Sequence, residues 1–144
     1  RGDNVDQAVL KPDGMVVCTL GSSGFANDGK SPGTRAKQMA MLRQEFIKAQ
    51  TYLDKLAAAE TDEEKDPPAR DLRKEVMAKV LNRELPLMIT AHGSVDIQNA
   101  LRLQRELGIR VVLEGASECY DFIEELKQQN TKSSKLAKQT NTRC

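Results

Sequence analysis

The chain has 144 residues, 22 of them basic and 21 acidic, which is enough for one domain with almost no net charge. This balance excludes the strongly basic character of most nucleic-acid-binding domains, and no apolar run approaches the roughly 20 residues that cross a bilayer. Two tyrosines, three phenylalanines and no tryptophan also leave few rings for base stacking. We therefore expect neither nucleic acid nor a membrane as a partner, and the composition does not indicate a compartment.

The two ends of the sequence differ in charge. Residues 127–144 contain five basic residues and no acidic one, so the preceding part carries a charge of −4 against the total of +1. This stretch is rich in Gln, Asn, Ser and Thr, which predicts a disordered basic tail after a domain at 1–126. An acidic, proline-containing stretch at about 60–68 predicts an exposed linker. The first residue is not methionine, and we expect a piece of a longer protein.

The first half of the sequence predicts one strand and two helices. The run from Met15 to Leu20 is typical of a buried strand, and a glycine-rich loop follows at 21–33. Thr34 is a suitable cap for a long helix, and Asp71 to Leu81 predicts a second one. Apolar residues recur at steps of three and four in both helices: Met39, Leu42, Phe46, Ala49, Leu53 and Leu56 in the first, and Leu72, Val76, Val80 and Leu81 in the second.

The second half predicts one parallel β-α-β unit and a last helix. The apolar run from Leu85 to Thr90 leads into a helix capped by Ser94, Gly108 closes that helix, and Ile109 to Leu113 forms the next strand. Ser117 then caps the last helix. The inward positions of the middle helix are Ile97, Ala100, Leu101, Leu103 and Leu107. Three strands with helices on both sides leave edges uncovered, so the chain either oligomerises or is an arc of a larger barrel, and the second is favoured.

Polar residues follow the two strands of this unit. Ligands of parallel α/β proteins lie beyond the carboxyl ends of the strands, which here carry Thr90, His92, Glu114, Ser117 and Glu118. We predict His92, Glu114 and Glu118 as candidate catalytic residues, with His92 as a proton carrier or residual ligand and the carboxylates as an acid/base pair. The alternative is structural: a loop histidine bound to backbone, and Glu118 stabilising the first turn of a helix.

Other candidates have similar alternatives. Asp96 lies in the first turn of a helix, where negative charge is favoured in any case. Arg35 and Arg43 are expected on opposite faces of the long helix, where either can hold a substrate carboxylate or face solvent. Cys119, near a helix start, is interpreted as a reactive thiol or as a small core residue.

Three segments carry a family resemblance. They are Gly33-Thr34-Arg35 with residues 41–46 (MLRQEF) and 49–52 (AQTY), residues 82–86 (NRELP) with 96–101 (DIQNAL), and residues 111–118 (VVLEGASE). In these segments the chain resembles the imidazolonepropionase-like branch of the amidohydrolase superfamily, which are metal-dependent hydrolases on (β/α)8 barrels. The match covers roughly residues 30–127. The implied fold class is α/β, a parallel-stranded β-α-β segment of a (β/α)8 (TIM) barrel of amidohydrolase type.

The sequence departs from this family where the metal would bind. The ligand histidines that the resemblance implies fall on Thr90 and near Gly115, and the family's His-x-His and late aspartate have no counterpart. A hydrolytic zinc needs three or more protein ligands, and the chain contains a single histidine. We therefore expect no metal or other cofactor in this chain, with zinc or another divalent metal implied only for intact relatives.

Two functions follow as hypotheses. The first is a segment of an amidohydrolase-like protein whose full-length relatives hydrolyse C–N bonds with metal-activated water, the segment itself being inactive. Its partner is then the remainder of the barrel, or a second copy of the chain. The alternative is a non-catalytic α/β protein-interaction module that docks through the long helix, because a small sheet cannot cover that helix's whole apolar stripe.

Overall fold

The computed structural model describes residues 14–25, 31–62 and 66–128. These ranges form a parallel sheet with helices in an α/β arrangement, as predicted. The elements are β1 (Val16–Thr19), a 3-10 turn (Ser22–Gly24), α1 (Arg35–Thr61), α2 (Leu72–Leu81), β2 (Leu87–Ala91), α3 (Ser94–Leu107), β3 (Val111–Gly115), a second 3-10 turn (Cys119–Phe122) and α4 at 123–128. The predicted tail lies outside the described residues from position 129 onward, as do residues 1–13.

The sheet has the strand order β1-β2-β3, and both pairings are parallel. Val16 is paired with Leu87, and Leu87 with Val111, so that the three strands start level with one another. Because consecutive strands are neighbours in space, the described part of the chain winds in one direction. A doubly wound sheet reverses its strand order at a switch point, and no such reversal occurs among these three strands.

The helices cover one face of the sheet, which corrects the expectation of helices on both sides. One core cluster joins β2 to residues from all three long helices, including Phe46 of α1, Val80 of α2 and Ile97 of α3. Side chains alternate between the faces of a strand, so Leu87, Ile89 and Ala91 enter this core. The alternate residues of the strands point to the other face and stay outside this core: Val17 is 57% and Val112 44% exposed. The sheet therefore has a covered face and an open face.

Helix α1 begins and packs as its sequence predicts. The Thr34 hydroxyl accepts the Lys37 N–H at 3.2 Å, so that the predicted cap is confirmed. Met39, Phe46 and Ala49 of the predicted stripe are buried, and Tyr52 is buried as well. The helix continues to Thr61, so the first two residues of the predicted linker are helical.

Helix α2 exists where it was predicted, but only the second half of its predicted stripe, Val80 and Leu81, faces the core. Asp71 caps it by accepting the N–H groups of Arg73 and Lys74 at 3.1 and 3.2 Å. The buried residues are Met77, Ala78 and Val80, whereas Leu72 is 63% and Val76 40% exposed. The inward prediction for Leu72 and Val76 was therefore wrong. Packing against α1 and β1 sets the rotation of this short helix, and periodicity alone does not determine it.

Helix α3 is the most regular of the elements. Its predicted inward residues Ile97, Ala100, Leu101 and Leu103 are buried, and Gly108 closes the helix in the left-handed conformation with φ 66°. Its predicted cap was wrong: Ser94 is the first helical residue, and Gly93 stands before it without a capping side chain. None of the helices described is long and apolar enough to cross a membrane.

Candidate functional site

The carboxyl ends of the strands form a polar row on the open face of the sheet. Thr19 is paired with Thr90, and Thr90 with Glu114, so that the three side chains point the same way. The Thr90 hydroxyl donates to Glu114 Oε2 at 2.6 Å. Glu114 is exposed, and its second carboxylate oxygen faces solvent without a hydrogen bond to the described part of the chain. This row holds one carboxylate and two hydroxyl oxygens.

His92 follows β2 and lies against the end of β3. A Cβ atom built on Gly115 would stand 2.6 Å from His92 Cε1, so only glycine leaves room for the imidazole there. Gly115 also has φ 80°, a backbone conformation that favours glycine. His92 Nδ1 lies 3.4 Å from the Ser117 hydroxyl oxygen, a long contact at the surface. The histidine is thus positioned by the β3 loop, and neither candidate carboxylate bonds its ring within the described ranges.

Glu118 is held by the loop that precedes α3. Its N–H donates to the His92 carbonyl at 3.3 Å, and its Oε2 accepts the Ser94 N–H at 2.7 Å. The carboxylate thereby performs the capping that Gly93 cannot, and it supplies negative charge at the positive end of α3. The Ser117 cap predicted for the last helix was wrong, because a 3-10 turn with no capping side chain begins there instead.

The three candidate catalytic residues therefore reach the same edge of the sheet but do not form one cluster. Glu114 is bonded to Thr90, Glu118 to Ser94, and His92 packs on Gly115. An acid/base pair needs its two groups within reach of one reacting atom. These contacts give Glu118 a structural role at the start of α3 and not, as the alternative had it, in the last helix, while the catalytic role of all three residues stays a prediction.

An ion pair between the buried Asp96 and the half-exposed Arg35 lies beside this edge and was not predicted. Asp96 is only 4% exposed and receives Arg35 twice, with Arg35 Nε at 2.7 Å from Oδ1 and a terminal nitrogen at 3.2 Å from Oδ2. Asp96 raises the pKa of the Arg35 guanidinium through these hydrogen bonds. Gly21, with φ 84°, packs on Asp96 so closely that a Cβ there would stand 2.4 Å from Oδ2.

Gln38 completes this network. Its Oε1 accepts the Gly21 N–H at 2.9 Å, and its Nε2 donates to the Thr19 carbonyl at 2.9 Å. The ion pair and this amide fasten the loop after β1 to the first turns of α1 and α3. Arg43 also bonds α3, through Glu106 at 2.9 Å, so that the expected opposite placement of the two arginines was wrong. Eight residues turn an α-helix by about 80° beyond two full turns. Helix geometry alone could therefore have placed the two arginines on neighbouring faces.

The donors at this edge do not fit a hydrolytic zinc. Thr90 and Gly115 occupy the two strand positions where the resemblance implies histidines, and a glycine offers no side-chain ligand. Among residues 14–25, 31–62 and 66–128, no three His, Cys, Asp or Glu side chains come together as a metal site. We therefore derive no metal-dependent step from these residues.

The two cysteines in the described part of the chain, Cys18 and Cys119, both pack against the core. Cys119 begins the 3-10 turn, half-buried, and packs against the core. Cys18, in β1, is also partly buried, and burial raises the pKa of its thiol to about 11. A thiol with a raised pKa is a poor nucleophile at neutral pH, because little thiolate is present.

Comparison with known proteins relates this geometry to one solved structure. No protein-family model matches the sequence, and no curated protein sequence matches it. The crystal structure of an amidohydrolase from Thermotoga maritima MSB8 is similar, with a TM-score of 0.76 and 26% sequence identity. The similarity covers 85% of this chain but only 32% of that one, so the chain spans about a third of the length of its structural neighbour. The chain therefore has an amidohydrolase-like fold.

Proposed function

We propose that the chain is a wall segment of an amidohydrolase-like (β/α)8 barrel of the imidazolonepropionase-like type. The observation that carries this proposal is the single winding of three parallel strands with all their long helices on one face. In a (β/α)8 barrel each strand is followed by a helix on the outside, whereas a doubly wound sheet has helices on both faces. The similar region is only 32% of the structural neighbour's chain, and in this proposal the other strands of the barrel correspond to the remainder of that chain.

The open face has the layering of a barrel interior. An apolar row of Val17, Met88 and Val112 crosses the three strands in register, and the polar row of Thr19, Thr90 and Glu114 lies beyond it. Barrel interiors are filled by the side chains of this inward parity, and barrel enzymes place their reaction site at the carboxyl ends. In a complete barrel the polar row would therefore face the substrate side, with His92 on the rim.

Both edges of the sheet carry an apolar groove next to an unpaired strand. Within the described residues, β1 and β3 each pair with β2 on one side only. The β1 groove, of about 500 Å³, is lined by Val17, Leu42, Leu72 and Val76 among others. The β3 groove, of about 450 Å³, is lined by residues that include Leu101, Val112 and Leu126. Neighbouring β/α units would add a strand to each edge and a helix to each groove. The remainder of the barrel is thus the proposed partner.

We further propose that the segment alone binds no catalytic zinc and hydrolyses no amide. The relatives that the resemblance implies use metal-activated water on C–N bonds, but Thr90 and Gly115 cannot supply the histidine ligands. The test combines metal analysis of the purified chain with hydrolysis assays on N-acyl and cyclic amides. Stoichiometric zinc that disappears in a His92→Ala variant would contradict the proposal.

The barrel proposal has its own test in the behaviour of the isolated chain. A segment with two open edges is expected to melt broadly or to aggregate, because its unpaired strands and apolar rows remain exposed. Light scattering and a thermal melt measure this directly. A monodisperse assembly with one cooperative transition would instead favour a self-contained domain.

That outcome would support the second candidate function, a non-catalytic interaction module. Its specific support is the exposure of apolar side chains on α1, where Ile47 is 65% and Met41 41% exposed. Replacement of Ile47 with Glu then weakens the assembly, whereas it leaves the aggregation of an excised segment unchanged.

A further inference from the structure

We propose that the outer side of the α1/α2 helix pair contains a binding site for a small anionic ligand. The site, called the lysine groove here, is a cavity of about 340 Å³ lined by Ile47, Lys48, Tyr52, Lys55, Pro68 and Lys74. Its volume is within the range of small-molecule sites in proteins. None of these residues belongs to the strand ends, so the proposal is independent of the proposed barrel function.

Three lysines, Lys48, Lys55 and Lys74, line the cavity, and their ammonium groups are not equally engaged. Lys48 pairs with Glu45 at 3.0 Å, and Lys74 with Asp71 at 2.9 Å. Lys55 has no ion pair or hydrogen bond of its own in the described structure, and its charge is available to a ligand. An oxyanion in the groove would meet this free ammonium first, with the two paired lysines close by.

Tyr52 provides a second, independent observation. It is 6% exposed, its ring lies 5.8 Å from Lys74 Nζ, and its hydroxyl has no hydrogen-bond partner within the described residues. Buried hydroxyl groups are normally hydrogen-bonded, since an unsatisfied one costs about 1–3 kcal/mol. A tyrosine in the wall of a cationic cavity can donate its O–H to a bound oxyanion, which gives this hydroxyl a partner.

The walls also limit the kind of ligand. Ile47 and Pro68 present apolar surface beside the charged groups, and Ile47 is strongly exposed. The site therefore fits a molecule with an anionic head, a phosphate or a carboxylate, and a short apolar body. Both heads offer acceptor oxygens to ammonium and phenol donors, so the two classes are separated by experiment.

The test uses tyrosine fluorescence of the full chain. The chain has two tyrosines and no tryptophan, so replacing the exposed Tyr120 with Phe leaves Tyr52 as the emitter. We expect a saturable change on titration with butyl phosphate or pentanoate at constant ionic strength, and the probe that binds identifies the class of head group. The absence of a saturable change with both probes would overturn the proposal.

Two charge variants make the test specific. Lys55→Gln is expected to weaken binding at least tenfold, while Lys37→Gln, which removes the same charge from the same helix outside the groove, leaves it unchanged. Equal weakening by both variants would mean a non-specific charge effect and would contradict the site. Both residues are exposed on α1, so the fold is preserved in each variant.

Tyr52→Phe examines the hydroxyl separately, by isothermal titration calorimetry. We expect weaker binding with a melting temperature that is unchanged or higher, because a hydroxyl without a protein partner contributes nothing to folding. A lower melting temperature together with unchanged affinity would show that the hydroxyl serves the fold, and the proposal would then fail.

Discussion

The covered and open faces of the sheet are built by the same three strands, yet their environments are opposite. Leu87, Ile89 and Ala91 are fully buried beneath the helices, whereas the side chains of Val17 and Val112 remain largely in water. Alternation along a strand distributes neighbouring residues to the two faces, so the covered face is apolar, whereas the open face carries an apolar row followed by a polar row. The comparison teaches that the described helices cover one face of the sheet and leave an apolar row exposed on the other.

The largest expected effect separates the two faces directly. Ile89→Ala should lower the free energy of unfolding by about 3 kcal/mol, because it opens a cavity in the core. Met88→Ala, one residue away on the open face, should change it by less than about 1 kcal/mol. Urea denaturation of both variants measures the difference. Similar losses at the two positions would mean that the open face is covered in solution.

The next effect concerns the polar contacts at the sheet edge. Asp96→Ala should lower the free energy of unfolding by about 2 kcal/mol, since two hydrogen bonds to a charged group are lost at a buried position. Glu106→Ala removes a surface partner of Arg43 and should change stability little. Thermal melts of the two variants provide the comparison. A larger loss at Glu106 would contradict the central role of the Arg35–Asp96 pair.

A smaller effect tests the fit between His92 and Gly115. Gly115→Ala should destabilise the chain by about 1–2 kcal/mol, from the positive φ and from collision with the imidazole. In a His92→Ala background the steric part disappears, so that the same substitution should be less harmful. The four chains of this double-mutant cycle can be compared by chemical denaturation. Additive effects would mean that the ring does not pack on Gly115.

The smallest effect is a pH dependence. Hydrogen bonds from Arg43 and then Arg102 lower the pKa of Glu106 below its ordinary value. A depressed folded-state pKa stabilises the fold above the unfolded-state pKa, and this contribution is lost as the pH falls through the folded value. The stability difference between the natural chain and Glu106→Gln should therefore be small at pH 7 and vanish in acid. A difference that grows on acidification would contradict this assignment.

The local parts of the fold were predictable because short-range patterns determine them. The Thr34 cap, the long apolar stripe of α1 and the left-handed Gly108 all depend on residues within a few positions of one another. The three parallel strands and their amidohydrolase-like arrangement were likewise indicated by apolar runs and family motifs. The rotation of α2 was not, since its inward face depends on contacts with α1 and β1.

The candidate site was predictable only as a location. Chain order placed His92, Glu114 and Glu118 after strand ends, which parallel pairing brings to one edge. The partners at this edge are distant in the sequence. Glu118 and Ser94 are 24 residues apart, and Arg35 and Asp96 of the neighbouring ion pair are 61 residues apart. No periodicity specifies such pairs. Gly115, the last residue of β3, was the one local signal that a bulky neighbour needs space there.

The bond from Glu118 to Ser94 makes the two loops at this edge interdependent. Ala116 N–H also donates to the Ala91 carbonyl at 2.8 Å, so the loop after β3 closes onto the loop after β2 at several points. Lengthening either loop by one residue would displace the carboxylate from the helix start. Anyone grafting a new specificity onto this scaffold should therefore exchange both loops together, as a matched pair.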